Sequence, residues 1–193
     1  MKRSEQLQEV GALLNSSLEQ SVIRKRAIEG LSSLVGAEVS SLLLLNEEKK
    51  ELSFEVALGE KGNEIRTIRL KMGEGIAGYV AETKEPVILN DVQSDPRFSN
   101  QADTKSGFIT RNMICAPVMA HDKLIGVIQA INKLDGGGFT EEDMASTVSF
   151  NNHVGIAIEN ANLYEEIVNL LEGFIKASVI GIDKRVRLAL LHF

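Results

Sequence analysis

The stretch Gly107–Phe139, GFITRNMICAPVMAHDKLIGVIQAINKLDGGGF, decides the fold. Met113–Met119 is short and apolar, broken only by Pro117, and Leu124–Ile131 is rich in Val and Ile. The polar turn Ala120–Lys123 separates them, so the two runs read as a hairpin. Gly136, Gly137 and Gly138 then free the backbone, and Thr140 is placed to cap a new helix with Asp143 three residues on. A strand pair feeding a capped helix is the centre of a sensor-type domain and not by itself of an enzyme.

A chain of 193 residues with 44% hydrophobic residues fills one domain with helical arms. Upstream of the hairpin, residues 1–18 place Leu7, Val10 and Leu14 on one narrow helical face, suited to a single neighbouring helix. A second helix is expected over Glu19–Val35, with Val22, Ile23, Ala27, Leu31 and Leu34 inward and the basic triplet Arg24–Arg26 on a solvated face. Ala37–Leu45 follows as a strand whose four leucines predict burial on both faces, and Glu51–Leu58 is its hairpin partner. Ile65–Leu70 alternates as a third strand. Gly73 and Gly75 lead into a short helix over Ile76–Thr83, whose free N–H groups suit an anion. Val87–Leu89 is a brief strand, and Asn90–Thr110 is a long polar segment read as a lid or binding loop.

One helical pattern starts near Glu141 and runs beyond Lys176. Ala157, Ala161, Tyr164, Val168, Leu171 and Ile175 step by four, three, four, three and four, which is a heptad seam. Such a helix outlasts one domain and predicts a parallel homodimer with the amino-terminal helix. The division expected is residues 1–18 as a dimerisation helix, 19–165 as the domain and 166–193 as a signalling helix.

The net charge of −6 excludes a nucleic-acid backbone as main partner. A single cysteine, with no signal peptide and no apolar run of about eighteen residues, predicts a cytoplasmic protein that is not membrane-bound. His121, His153 and His192 are far apart and lack ligand spacing, so no metal site is expected. His121-Asp122 falls in the hairpin turn, and Cys115, between Ile114 and Ala116, reads as a small packed apolar group. No glycine pattern matches a P-loop or dinucleotide fingerprint.

GEGIAGYVAETKEPVILNDVQSDPRF, then SGFITRNMICAPV, LIGVIQAINK and FTEED, in that order, resemble a GAF domain over about Ser17–Ile167. The resemblance implies an α+β fold: a central antiparallel sheet of six strands, helices on one face and a ligand pocket on the other, flanked by long terminal helices. It is similar in particular to the cyclic-nucleotide-binding GAF domains of phosphodiesterases and adenylyl cyclases, with cyclic AMP or cyclic GMP as the implied ligand and no other cofactor. Their Asn-Lys, Phe, Asp-Glu signature is met by Asn132-Lys133, Phe139 and Asp143, with Met144 in place of the final Glu. The resemblance implies that Lys133 and Asp143 pair as a latch.

Carried over residue by residue, the ligand-binding positions are Ser41, Ala57, Leu58, Ala77, Ser99, Ser106, Thr110 and Gln129. Three depart from the family pattern: Leu58 stands where an Asp reads the purine, Ser99 where an aromatic stacks and Gln129 where a Glu accepts. Losing stacking or a charged acceptor removes about 1–3 kcal/mol each. LYEEIVNLLEGFIKASV (163–179) resembles the linker by which bacterial GAF domains enter HD-GYP-type phosphohydrolase domains, while VRLALLHF (186–193) carries none of that domain's metal motifs. The expectation is therefore a non-enzymatic regulatory chain whose output domain lies elsewhere. The alternative is a dimerisation module with a non-functional pocket. A free-methionine-sulfoxide reductase would need more cysteines than Cys115.

Overall fold

The computed structural model describes residues 11–12, 14, 16–57 and 66–190, the side chains of 56–57 and 179–190 excepted. Helix α1 (Gln20–Val35) runs into Gly36, whose φ of 63° ends it with an N–H donated to the Ser32 carbonyl. Strand β1 (Ala37–Asn46) starts at once and pairs antiparallel with β2 (Glu51–Ala57). Then follow β3 (Arg69–Lys71), α2 (Gly75–Thr83), β4 (Val87–Leu89), a 3-10 turn (Val92–Ser94), α3 (Gln101–Ser106), β5 (Met113–Ala120), β6 (Lys123–Lys133) and α4 (Glu141–Leu190). The six strands form one antiparallel sheet in the order β3-β2-β1-β6-β5-β4.

The sheet separates two apolar layers. On one face Leu42, Ile114, Val118, Ile128 and Ala130 pack with Ile23, Ala27, Ile28 and Leu31 of α1 and Phe150, Val154, Ala157 and Ile158 of α4. On the other, Leu43, Leu52, Phe54, Cys115 and Val127 pack beneath Ile76, Ala77, Val80 and Ala81 of α2. The leucine run of β1 divides as period 2 requires: Leu42 and Leu44 meet the helical layer, Leu43 and Leu45 the other. Two close approaches fix the layers. A Cβ on Gly126 would lie 2.1 Å from the Leu43 carbonyl oxygen, and one on Gly155 of α4 would lie 2.0 Å from that of Met119. The helix therefore lies directly on β5.

Four expectations are corrected. β3 is three residues rather than Ile65–Leu70; Arg66 and Thr67 form a turn, and Ile65 lies outside the described residues. The segment 90–110 contains a 3-10 turn and α3, too short at six residues to show an apolar period. Arg24 is not solvated: it pairs with Glu55 at 2.5 Å and donates to Gln20. Ala157 and Ala161, the first two seam positions, are 2% and 1% exposed because they face the domain's own core. Of the amino-terminal seam, Leu14 is in the core; Leu7 and Val10 lie outside the described residues.

Candidate functional site

On the sheet face away from α1 and α4, a row of polar side chains interrupts the apolar layer. Ser41, Gln129 and Cys115 stand side by side on β1, β6 and β5 because those strands are in register there. Ser41 Oγ donates to Gln129 Oε1 at 3.0 Å, and Gln129 Nε2 lies 3.7 Å from Cys115 Sγ. Both polar side chains are nearly sealed, at 3% and 7% exposure. Burial pushes the Cys115 thiol up to about 12, against the weaker opposing effect of the Gln129 amide, so it is a neutral, unreactive group.

The crossover from β4 to β5 borders this face. Its 3-10 turn is pinned by Arg97, which grips Asp95 through Nε and Nη2 (2.9 and 2.7 Å) and lies 4.3 Å from the centre of the Tyr79 ring on α2. Hydrogen bonding from the Arg97 guanidinium holds the Asp95 carboxyl below its ordinary range. Further on, Asp103 of α3 accepts both the Thr110 N–H (2.8 Å) and its hydroxyl (2.7 Å), folding residues 103–110 back on themselves. Ser106 Oγ donates to the Ala102 carbonyl and accepts the Phe108 N–H.

The exit of this segment is clamped by Asn132. Its Nδ2 donates to the Ile109 carbonyl (2.8 Å) and to Glu38 (3.0 Å), and its Oδ1 accepts the Arg111 N–H (2.8 Å). The residue sits at φ 58°, a left-handed conformation that Asn tolerates better than most residues and that breaks the alternation of β6. Lys133 consequently turns to the helical side. Its Nζ reaches Asp143 Oδ2 at 2.9 Å and the Val35 carbonyl at 2.8 Å, with side-chain exposures of 11% for Lys133 and 2% for Asp143. Asp143 Oδ2 also accepts the N–H and hydroxyl of Thr140, both at 3.0 Å, and its own N–H donates to Thr140 Oγ1, so the helix cap and the ion pair share one carboxylate. Adjacent residues thus hold the crossover on one side and the starts and ends of two helices on the other.

The structure brings Ser41, Gln129 and the backbone of Ala57 together, Ala57 being paired with Ser41. Ala77 is buried in the same layer, and Thr110 is buried at the crossover's exit. Ser99 is exposed, with only a 3.5 Å contact to the Gln101 N–H. Leu58 lies outside the described residues. Among the described residues, none of these predicted positions lines the groove of about 180 Å³ between α1, the ends of β1 and β6, and α4. Sequence reasoning missed Asp103, Glu38 and Asn112, whose Oδ1 accepts the Lys133 N–H at 2.8 Å, as partners; short polar residues without period carry no signal, and only the Asn-Lys pair at a strand end pointed to this place.

The architecture defines a sensor-type α+β domain, a central antiparallel sheet with a helical layer behind and a short-helix and loop layer in front. The chain belongs to the GAF domain family, whose model matches residues 21–158; these are small-molecule-binding regulatory domains. It is 34% identical over 143 residues to "Probable 3',5'-cyclic phosphodiesterase pde-5" of Caenorhabditis elegans, covering 69% of this chain and 20% of that protein. It is 40% identical over 100 residues to "Dual 3',5'-cyclic-AMP and -GMP phosphodiesterase 11" of Drosophila melanogaster, covering 51% of this chain and 7% of the relative. The chain therefore spans a fifth or less of these two relatives. Among solved structures, the GAF domain of a phosphoenolpyruvate-protein phosphotransferase from Coxiella burnetii superposes with a TM-score of 0.76 at 21% identity, covering 85% of this chain and 96% of that one. A free methionine-R-sulfoxide reductase of Neisseria meningitidis superposes at 0.70 and 17% identity over 84% of this chain and 91% of that one. At these identities the likeness is one of fold. Among the described residues, no helix is long and apolar enough to cross a membrane.

Proposed function

We propose that this chain is the ligand-binding regulatory domain of a cytoplasmic bacterial signalling protein, working as a homodimer through its terminal helices. The ligand class is a cyclic nucleotide, cyclic AMP or cyclic GMP, or a molecule of similar chemistry. The observation that carries this reading is the Ser41–Gln129 pair, a hydroxyl and an amide buried in the middle of an apolar sheet face. Burying such groups costs stability that a pair of apolar residues would not, so their place beside a folded crossover suits recognition. Relatives named as cyclic phosphodiesterases support the ligand class. Ala57, Leu58, Ala77, Ser99, Ser106 and Thr110 complete the proposed contacts. The segment 90–110 acts as the lid, and Lys133–Asp143 passes its position to α4. Residues 1–18, 19–165 and 166–193 serve as dimerisation helix, sensor and output helix, and the resemblance of 163–179 supports an HD-GYP-type phosphohydrolase as linked output.

The second reading is a dimerisation module without ligand, favoured by one fact: Ser41 already satisfies Gln129. Mass spectrometry of molecules released from purified protein, with melting curves against cyclic AMP and cyclic GMP, separates the two. A ligand at 100 times its Kd adds about 2.7 kcal/mol, or roughly 5–10 °C for a chain of this size. Substituting Gln129→Leu should abolish that shift while the domain stays folded. No released molecule and no shift with either nucleotide would favour the module.

A further inference from the structure

We infer that Glu55, Arg24, Gln20 and Glu165 form a side-chain relay that ties the position of β2 to the place where α4 leaves the domain. β2 ends at Ala57, one of the proposed ligand contacts, so the input end rests on the proposed function; the relay itself stands on contacts that need no ligand. Strand alternation sets the first link. Phe54 packs in the layer beneath α2, so Glu55 points to the opposite face, where α1 lies. Arg24 donates through Nη1 to Glu55 Oε2 at 2.5 Å and through Nη2 to Gln20 Oε1, one turn earlier on α1. Gln20 Nε2 then donates to Glu165 Oε2 of α4 at 2.5 Å.

Each member suits its place. The planar guanidinium holds two acceptors on different elements in fixed directions, which a Lys ammonium does not. Its pair with Glu55 is partly shielded, at 22% and 30% side-chain exposure, while its Nε is buried with no hydrogen-bond partner. An unmatched buried N–H costs stability that a Leu or Met would not, so Arg24 is explained by what its two outer nitrogens hold. Between a guanidinium and a carboxylate, the linking group must accept at one end and donate at the other. The Gln20 amide does both; a Glu there would repel Glu165, and a Lys would repel Arg24. Past Ala161, which is 1% exposed, α4 has left the core. Among the described residues, the Gln20–Glu165 bond is the one hydrogen bond from that part of α4 to another element. Lys133–Asp143 holds the start of α4; the relay holds its exit.

Hydrogen–deuterium exchange of the full chain, read by mass spectrometry of peptides, tests this without ligand. Gln20→Glu keeps the acceptor for Arg24 and turns the donor to Glu165 into a like charge, so exchange over 162–172 should rise about two- to tenfold while 113–133 stays as in the wild type. Adding Glu165→Gln to Gln20→Glu restores a donor opposite an acceptor and should return exchange to the wild-type rate. Glu55→Met, on a different element from both, should raise exchange over 162–172 in the same direction, and combining it with Gln20→Glu should add nothing further. Should Glu55→Met lose its fold, Glu55→Gln, which keeps the shape and weakens the charge-assisted bond, gives the same direction with a smaller rise. Unchanged exchange in Gln20→Glu, or no rescue by Glu165→Gln, would overturn the inference. So would a response to Gln20→Glu with none to the Glu55 variants, the mark of an isolated surface bond. Purified protein that releases no small molecule would count against the sensing role and leave each of these exchange results unchanged.

Discussion

Replacing Lys133 by Met tests whether the helical layer is held by one shared carboxylate. In the folded domain Asp143 is 2% exposed as a side chain and its Oδ2 is met by Lys133 Nζ and by both donors of Thr140. Lys133→Met removes the ammonium paired with that carboxylate and frees the Val35 carbonyl at the end of α1. Breaking a buried pair by removing one member costs about 3–5 kcal/mol, and the two remaining Thr140 donors argue for the lower end. For a chain of this size that is about 6–20 °C in melting temperature. The assay is urea unfolding followed by far-UV circular dichroism, with Asp143→Asn and the double variant completing a cycle. The double variant should cost less than the sum of the two singles, because the second change removes the stranded charge. A Lys133→Met loss below about 1 kcal/mol, the range of an exposed pair, would refute the reasoning.

Other consequences follow from individual contacts. Gly155→Ala drives a methyl to 2.0 Å from the Met119 carbonyl, so it should destabilise by about 1–3 kcal/mol in the same unfolding assay although Ala favours helix. Asn132→Ala removes three side-chain bonds and leaves a non-glycine residue at φ 58°; limited proteolysis should then cut within 101–112 faster, and Asn132→Gly should do so with less loss of stability. Cys115 should not react with a thiol reagent at mildly alkaline pH until urea is added. Because its folded pKa of about 12 lies above the ordinary thiol value, its contribution to stability is complete below about pH 8.5 and is lost as pH rises toward 12. Cys115→Ala should remove that part of the alkaline decline.

Period and punctuation in the chain were enough for the β5–β6 hairpin, the two-faced burial of β1 and the Thr140–Asp143 cap, because each depends on residues within a few positions of one another. The family order of motifs then located the sheet face that bears Ser41 and Gln129. Three features were decided only in three dimensions. Asn132 clamps a loop about twenty residues earlier in the chain, which no local pattern can encode. α3 is too short to show an amphipathic period. And α4 carries two apolar lines, both compatible with a heptad; the close approach at Gly155 gives Ala157 and Ala161 of one line to the core, while past the domain Tyr164, Leu171 and Ile175 of that line are exposed beside Leu163, Ile167, Leu170 and Phe174 of the other.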